Sequence, residues 1–193
     1  MVTKIFYPEK AWCLPDKKSY WARAGLPSSP ATLDPELIIK ANAIYLSALE
    51  HIQPVVYYLT VKTAQLPSEI IPSIFGQVKS ITFFASTLGR KFDSQVNDLN
   101  RLGHTLEMFL LDSWGSESLE SLNRRFDCHL REKHGAGTRR FSLGYGSVDI
   151  RMNSFIIKQL LNLPEQEIQV LESGAMLPRK TTTCLIGWQN ETE

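Results

Sequence analysis

Residues 167–189 read EIQVLESGAMLPRKTTTCLIGWQ. Two runs in this stretch have strand character, EIQVLES (167–173) and TTTCLIGWQ (181–189). GAMLPRK between them is long enough for a wide hairpin, which favours antiparallel pairing. Working outward, VVYYLTVK (55–62) is filled with β-branched and aromatic residues, and VKSITFFAST (78–87) reads as a buried strand. The order along the chain is helix, strand, strand, long helices, helix, strand, strand. No regular βαβ alternation is present, so the fold class is α+β, a mostly antiparallel sheet with helices against it.

The helices are carried by spacing. Asp34 can cap, Pro35 suits a first helical position, and Leu37, Ile38, Ala41, Ile44, Tyr45, Ala48, Leu49 and Ile52 recur on one face. Pro54 closes that element. Arg90 to Lys133 is helical with a break at Gly103, and Gly135 and Gly137 end it. Gly115, Ser116 and Ser118 form a small-residue patch that admits a close neighbour, best read as tight helix packing. Asp149–Leu161 is predicted to be a helix stopped by Pro164. Residues 1–31, punctuated by Pro8, Pro15, Gly25, Pro27 and Pro30, are expected to form an irregular N-terminal arm on a single domain spanning 1–193.

The 193 residues include 43% hydrophobic and 21% charged side chains, enough for a sizeable core and not a disordered composition. A net charge of +1 provides no global field for nucleic acid or an anionic membrane. Cys13, Cys128 and Cys184 are scattered and make no CxxC, which points to reduced thiols and a cytoplasmic protein rather than a disulfide framework. No signal peptide or membrane span is read in the sequence. His129 and His134 are five apart, unlike the i, i+4 ligands of a helical metal site. GxSxG, Walker and GxGxxG motifs are missing. FASTLGRK (84–91) could hold an anion on its backbone N–H groups, or be a tight strand-to-helix turn.

RRFSLGYGS (139–147) lies between two helical segments. Arg140 offers a planar fork for a carboxylate or phosphate. Gly144 and Gly146 allow close main-chain approach, and Tyr145 supplies a flat face and a hydroxyl between them. The same residues also make a plain turn after a cationic helix end. In LESGAMLPRK (171–180), Glu172 and Ser173 close a strand before small residues, and a carboxylate there can receive an amino or hydroxyl group, or be solvated at a hairpin.

Together, RFSLGYG and, one helix later, LESGAMLPRKTTTCLIG resemble the S-adenosylmethionine-binding activation domain of cobalamin-dependent methionine synthase. STLGRKFDSQVNDL (86–99) and LLDSWGSESLESL (110–122) look like the stand-alone, single-domain members of that family, so the resemblance runs from about Asp34 onward. It implies a C-shaped α+β domain around a twisted, mostly antiparallel sheet, with a shallow groove for S-adenosylmethionine. It also implies docking on a partner that carries cobalamin, with flavodoxin or ferredoxin as electron donor, so that oxidised cob(II)alamin is reductively methylated. Arg140 then meets the ligand's carboxylate end. The main chain at Ser142 and Gly144 binds its amino or adenine groups, and Tyr145 lies near the corrin on docking. Glu172 and Ser173 match the Glu-Ser of the second family motif. Leu143 stands where the family has proline, and Leu171 where it has threonine. Neither the D-x-H-x-x-G cobalamin motif nor the zinc-binding cysteines of the synthase occur, so the chain is not expected to be catalytic alone. Two other readings stay open. One is a non-catalytic interaction subunit of a corrinoid methyltransferase that has lost S-adenosylmethionine binding. The other is an enzyme acting on a small anionic substrate through Arg139 and Arg140.

Overall fold

A computed structural model of the chain describes residues 2–27 and 34–190. Its main sheet has strands β1 (Lys4–Phe6), β2 (Val55–Lys62), β3 (Ser80–Thr87), β4 (Phe141–Ser142) and β7 (Thr181–Trp188). They run in the order β1-β2-β3-β7-β4, every neighbour antiparallel. β5 (Gln169–Val170) and β6 (Met176–Leu177) form a separate two-stranded ribbon. Four α-helices are described: α1 (Lys17–Arg23), α2 (Pro35–Ser47), α3 (Arg90–Arg101) and α4 (Thr105–His134). The fold is α+β, as the sequence pattern requires.

β3 is the central strand, and all eight of its residues are buried. Its alternation divides the core. Phe84 packs with Val56, Ile186, Phe126 and Leu122 against α2, α4 and the N-terminal segment. Ile81, Phe83 and Ala85 pack with Leu59, Leu185, Phe141 and Ile156 beneath the loops of the opposite layer. Strands buried on both faces carry polar groups only where those groups are bonded. Ser86 donates to Asn123 Oδ1 of α4 at 2.5 Å, and Trp188 Nε1 donates to Thr82 Oγ1 at 2.8 Å. Each such bond contributes about 1 kcal/mol net, and losing one partner costs more.

α2 starts as expected, the Asp34 carboxylate accepting from the Glu36 N–H at 2.9 Å. Gly103 does break the long helical run, with a φ of +76° between α3 and α4. Close packing explains the small-residue patch. A Cβ at Gly115 would collide with the Phe92 ring.

Two expectations need correction, and a third is refined. Residues 167–173 and 181–189 are not paired with each other. β5 bonds to β6, and β7 crosses to the main sheet between β3 and β4. Asp149–Leu161 is helical between these two residues as expected, but as a 3-10 turn at Ile150–Met152 leading into a π-helical segment, Phe155–Leu160, rather than as one regular α-helix. The N-terminal arm is not irregular. It supplies β1, a 3-10 turn at Lys10–Cys13 and α1, and Phe6 and Trp12 pack on Phe126 and His129 of α4; its positions 28–31 lie outside the described residues.

Candidate functional site

β4 lies on the outer edge of β7, with Phe141 opposite Leu185 and Ser142 opposite Cys184. Strand alternation turns Phe141 and Leu143 into the loop-side core and brings Arg140 and Ser142 to the α4 side. There the Arg140 guanidinium donates to Glu120 Oε1 at 2.5 Å. Arg140 is largely covered, its side chain 17% exposed, whereas that of Glu120 is 44% exposed. Ser142 Oγ sits 3.3 Å from Cys184 Sγ. Burial pushes the Cys184 thiol up to about 11 against the pull of Arg140, so this sulfur is a small apolar filler rather than a nucleophile.

The chain next forms a loop with a buried base and an exposed tip. Leu143 and Val148 are buried, and Tyr145 is 74% exposed. Gly144, at φ +86°, closes the loop by donating its N–H to the Val148 carbonyl at 3.2 Å. Ser147 Oγ accepts from the Ser73 N–H at 3.2 Å, which ties the loop to the turn after β2. Asp149 caps the following 3-10 turn, and its bonds to Arg151 hold its carboxyl down at about 2.

The second loop meets the first. Glu172 and Ser173 are exposed, and Ser173 Oγ accepts from the Ala175 N–H at 3.3 Å. Gly174 has φ +85°, and a Cβ there would lie 2.7 Å from the Ile150 carbonyl carbon and oxygen. Its own carbonyl accepts from Asn153 Nδ2 at 2.8 Å, while Asn153 Oδ1 accepts from the Thr183 hydroxyl at 2.5 Å. Asn153 is thus a buried bracket between the loop and β7. A cavity of about 300 Å³ opens between these parts, lined by Leu143, Ile150, Asn153, Gly174–Met176, Arg179 and Thr181–Thr183.

The residues after the cavity are fixed by the helices. The Arg179 backbone N–H donates to Asp93 Oδ2 at 2.7 Å, and its guanidinium to Asn97 Oδ1 at 2.8 Å. Lys180 Nζ donates to Ser116 Oγ and pairs with Asp112, each at 2.8 Å. Asp112, Ser116 and Glu120 stand four apart on α4, so one helix face presents a polar seam to Lys180 and Arg140.

The structure therefore brings both motif loops to one cavity. Of the six residues singled out in the sequence, Arg140 and Ser142 lie on the α4 side of β4. Gly144 packs beside Ile150, and Tyr145, Glu172 and Ser173 are exposed on the loops. None of the six is among the cavity's lining residues. Sequence reasoning missed Glu120, Asn153 and Thr183. The four-residue spacing of Asp112, Ser116 and Glu120 was a usable signal for the first, whereas Asn153 carries none. FASTLGRK serves as a turn: Gly89 packs against Gln53, and the Arg90 guanidinium donates to the Glu165 and Gln166 carbonyls at 3.1 Å. His129 stacks on Phe6 and Phe126, and His134 packs on Trp188.

No family model matches the sequence, and no curated protein matches it. Among solved structures, the chain is similar to the MetH reactivation domain bound to AdoHcy, with a TM-score of 0.72 and 12% sequence identity. The match covers 100% of this chain and 80% of that one. The chain has the fold of a methionine synthase reactivation domain. At this identity the shared feature is the reactivation-domain fold itself, while the side chains of the site belong to this sequence. Among the described residues, no helix is long and apolar enough to cross a membrane.

Proposed function

We propose that the chain binds S-adenosylmethionine between its two motif loops and acts as a reactivation module for a cobalamin-carrying methyltransferase. The observation that carries this reading is the meeting of the two loops. Gly174 is pressed against Ile150 and bracketed by Asn153, so RFSLGYG and LESGAM border one cavity, and the Arg140–Glu120 pair lies on the other face of the same short strand, β4. That arrangement suits the ligand's chemistry. Arg140 offers a fork to its carboxylate, and the half-exposed Glu120 offers an acceptor to its ammonium. The apolar lining at Leu143, Ile150 and Met176 suits a flat base, and Glu172 and Ser173 place acceptors on the adjoining loop for hydroxyl groups. Tyr145 at the exposed loop tip would face the partner's corrin. The partner's cobalamin, reduced by a flavodoxin- or ferredoxin-type donor, would supply the nucleophile that takes the ligand's methyl group. This chain's part is to hold the sulfonium carbon in reach and exclude water from it.

A second reading rests on the same ion pair. Arg140 is already bonded to Glu120, and an interaction subunit that has lost ligand binding would keep that pair as structural glue. Titration calorimetry with S-adenosylmethionine and S-adenosylhomocysteine separates the two. Binding that weakens at least about tenfold in Arg140→Ala, with the melting curve preserved, supports the module. No heat at high micromolar ligand sinks it and leaves the interaction subunit. Docking is tested by mixing the protein with a cobalamin-binding methyltransferase and following the cob(II)alamin spectrum, which must change if the module acts on it.

A further inference from the structure

A larger cavity, about 730 Å³, shares no lining residue with the one between the motif loops. It opens at the β1–β2 side of the sheet. Alternation along β1 puts Ile5 and Tyr7 on one face, and the register of Ile5 with Tyr57 sets Tyr57 and Leu59 of β2 beside them. Across from this floor the chain leaves the π-helical segment through Leu160 and Leu163.

That wall is built rather than left over. A π-helical turn is a rare local form that recurs at functional sites. Asn162 ends it in the left-handed region, at φ +49°, a conformation asparagine tolerates better than most side chains. The turn is closed by the Leu163 N–H donating to the Ile157 carbonyl at 2.9 Å. Thr3 Oγ1 donates to the Leu161 carbonyl at 2.8 Å and fastens the wall to the N-terminal strand.

One end of this apolar trough is polar. The Tyr57 hydroxyl donates to Glu167 Oε2 at 2.6 Å, and Tyr7 lines the same cavity. Among the described residues no lysine, arginine or histidine pairs with Glu167, and the Tyr57 hydroxyl is the one side-chain donor to its carboxylate. Among the described residues the Glu167 carboxylate thus has no ion-pair partner, and it sits beside two tyrosine rings at the mouth of a trough otherwise lined mainly by aliphatic side chains.

We propose that this trough is a second small-molecule site, for an organic cation with an apolar, preferably aromatic body and an ammonium group. The volume lies within the roughly 300–1,000 Å³ of ordinary small-molecule pockets, which pair apolar walls with a few convergent polar groups. The ammonium bonds to Glu167 and is attracted by the faces of Tyr7 and Tyr57. The body covers Leu59, Leu160 and Leu163. An anion of the same shape meets the Glu167 charge and is repelled.

The test uses the full chain and tryptamine as probe, with indole-3-propionate as its anionic counterpart, followed by amide NMR shifts. Saturable shifts at β1, Tyr57–Leu59 and 159–167 are expected with tryptamine in the sub-millimolar to millimolar range. Glu167→Gln should weaken them about two- to fivefold while the remaining spectrum is unchanged, and indole-3-propionate should leave them still. Leu160→Gln, which keeps the carboxylate but removes an apolar wall, should weaken binding as well. The proposal is overturned by no saturable shift at about 5 mM tryptamine, by equal response to the two probes, or by shifts confined to the loops at 143–149 and 171–176.

Discussion

Gly174→Ala is the sharpest test of how the two motif loops are joined. Two penalties act at this position. The backbone sits at φ +85°, which an L side chain adopts at a cost of about 1–2 kcal/mol. The new methyl would also lie 2.7 Å from the Ile150 carbonyl group and 2.9 Å from the Arg151 nitrogen. These are main-chain atoms and cannot rotate aside, so overpacking adds about 1–3 kcal/mol. The unfolded state of an alanine variant is less disordered, which offsets about 0.4–1 kcal/mol of this destabilisation. Gly146→Ala is the matched control. Its φ is +67°, yet the nearest atom to its Cβ is Phe141 Cε2 at 3.6 Å, an ordinary contact. Both variants share the backbone and unfolded-state effects, so their difference isolates the clash. That difference is about 1–3 kcal/mol, and in a domain of this size it lowers Tm by a further 2–12 °C or so. Thermal and urea unfolding followed by circular dichroism measure it. If Gly174→Ala melts no lower than Gly146→Ala, the two loops are not locked at this contact and the site geometry described above is wrong.

Gly115→Ala sets helix propensity, a gain of about 1 kcal/mol, against overpacking of about 1–3 kcal/mol on the fully buried Phe92 ring. Net destabilisation is expected, and a raised urea midpoint would refute the close packing. Burial holds the Cys13 thiol up at about 12 and Cys184 at about 11, and Cys128 is the exposed cysteine. A thiol reagent near pH 8 should therefore modify Cys128 in the native protein and all three in denaturant. Rapid native labelling of Cys13 or Cys184 would contradict this. Burial, then neighbouring lysines, lowers the pKa of His51 and of His134 below 6.5. Between the folded and unfolded pKa values the unfolded chain binds more protons, so stability present above about 6.5 is lost as pH falls. The melting temperature should drop between pH 7.5 and 5.5 or so, and the drop should shrink in His51→Gln and His134→Gln. An unchanged pH profile in both variants would remove these histidines as its cause.

The parts of the fold set by local chemistry were readable in the sequence. Asp34-Pro35 marks a helix start whatever lies around it, and β2 and β3 are runs of β-branched and aromatic residues bounded by turns. Partner choice was not readable. Residues 181–188 are apolar enough to be buried, but nothing in them says that β3, eighty residues or more away, is the neighbour rather than the run just before. The stretch 155–160 has apolar residues at a spacing that serves an α-helix and a π-helix alike, and only the packed structure shows which bonds form. The site divides the same way. Its loops have a recognisable composition, whereas Glu120 and Asn153 come from other elements and acquire their roles only through tertiary contact.

Leu143 shows how tertiary contact can take over a local rule. The resembled family has proline there, whose ring would preset one backbone angle of the turn before Gly144. Here Leu143 is 6% exposed and packs in the loop-side core with Phe141 and Val148. The turn is closed by the Gly144 N–H on the Val148 carbonyl and fastened outward by Ser73 on Ser147. Order that a ring would supply within one residue is supplied by two hydrogen bonds and a buried side chain, drawn from the loop itself and from Ser73. The side chain has a second effect, because Leu143 also lines the cavity between the motif loops. The residue that departs from the family's pattern thus holds the loop in place and makes the wall of its groove more apolar. A ligand's flat base, rather than its charged end, is the part that such a wall can accept.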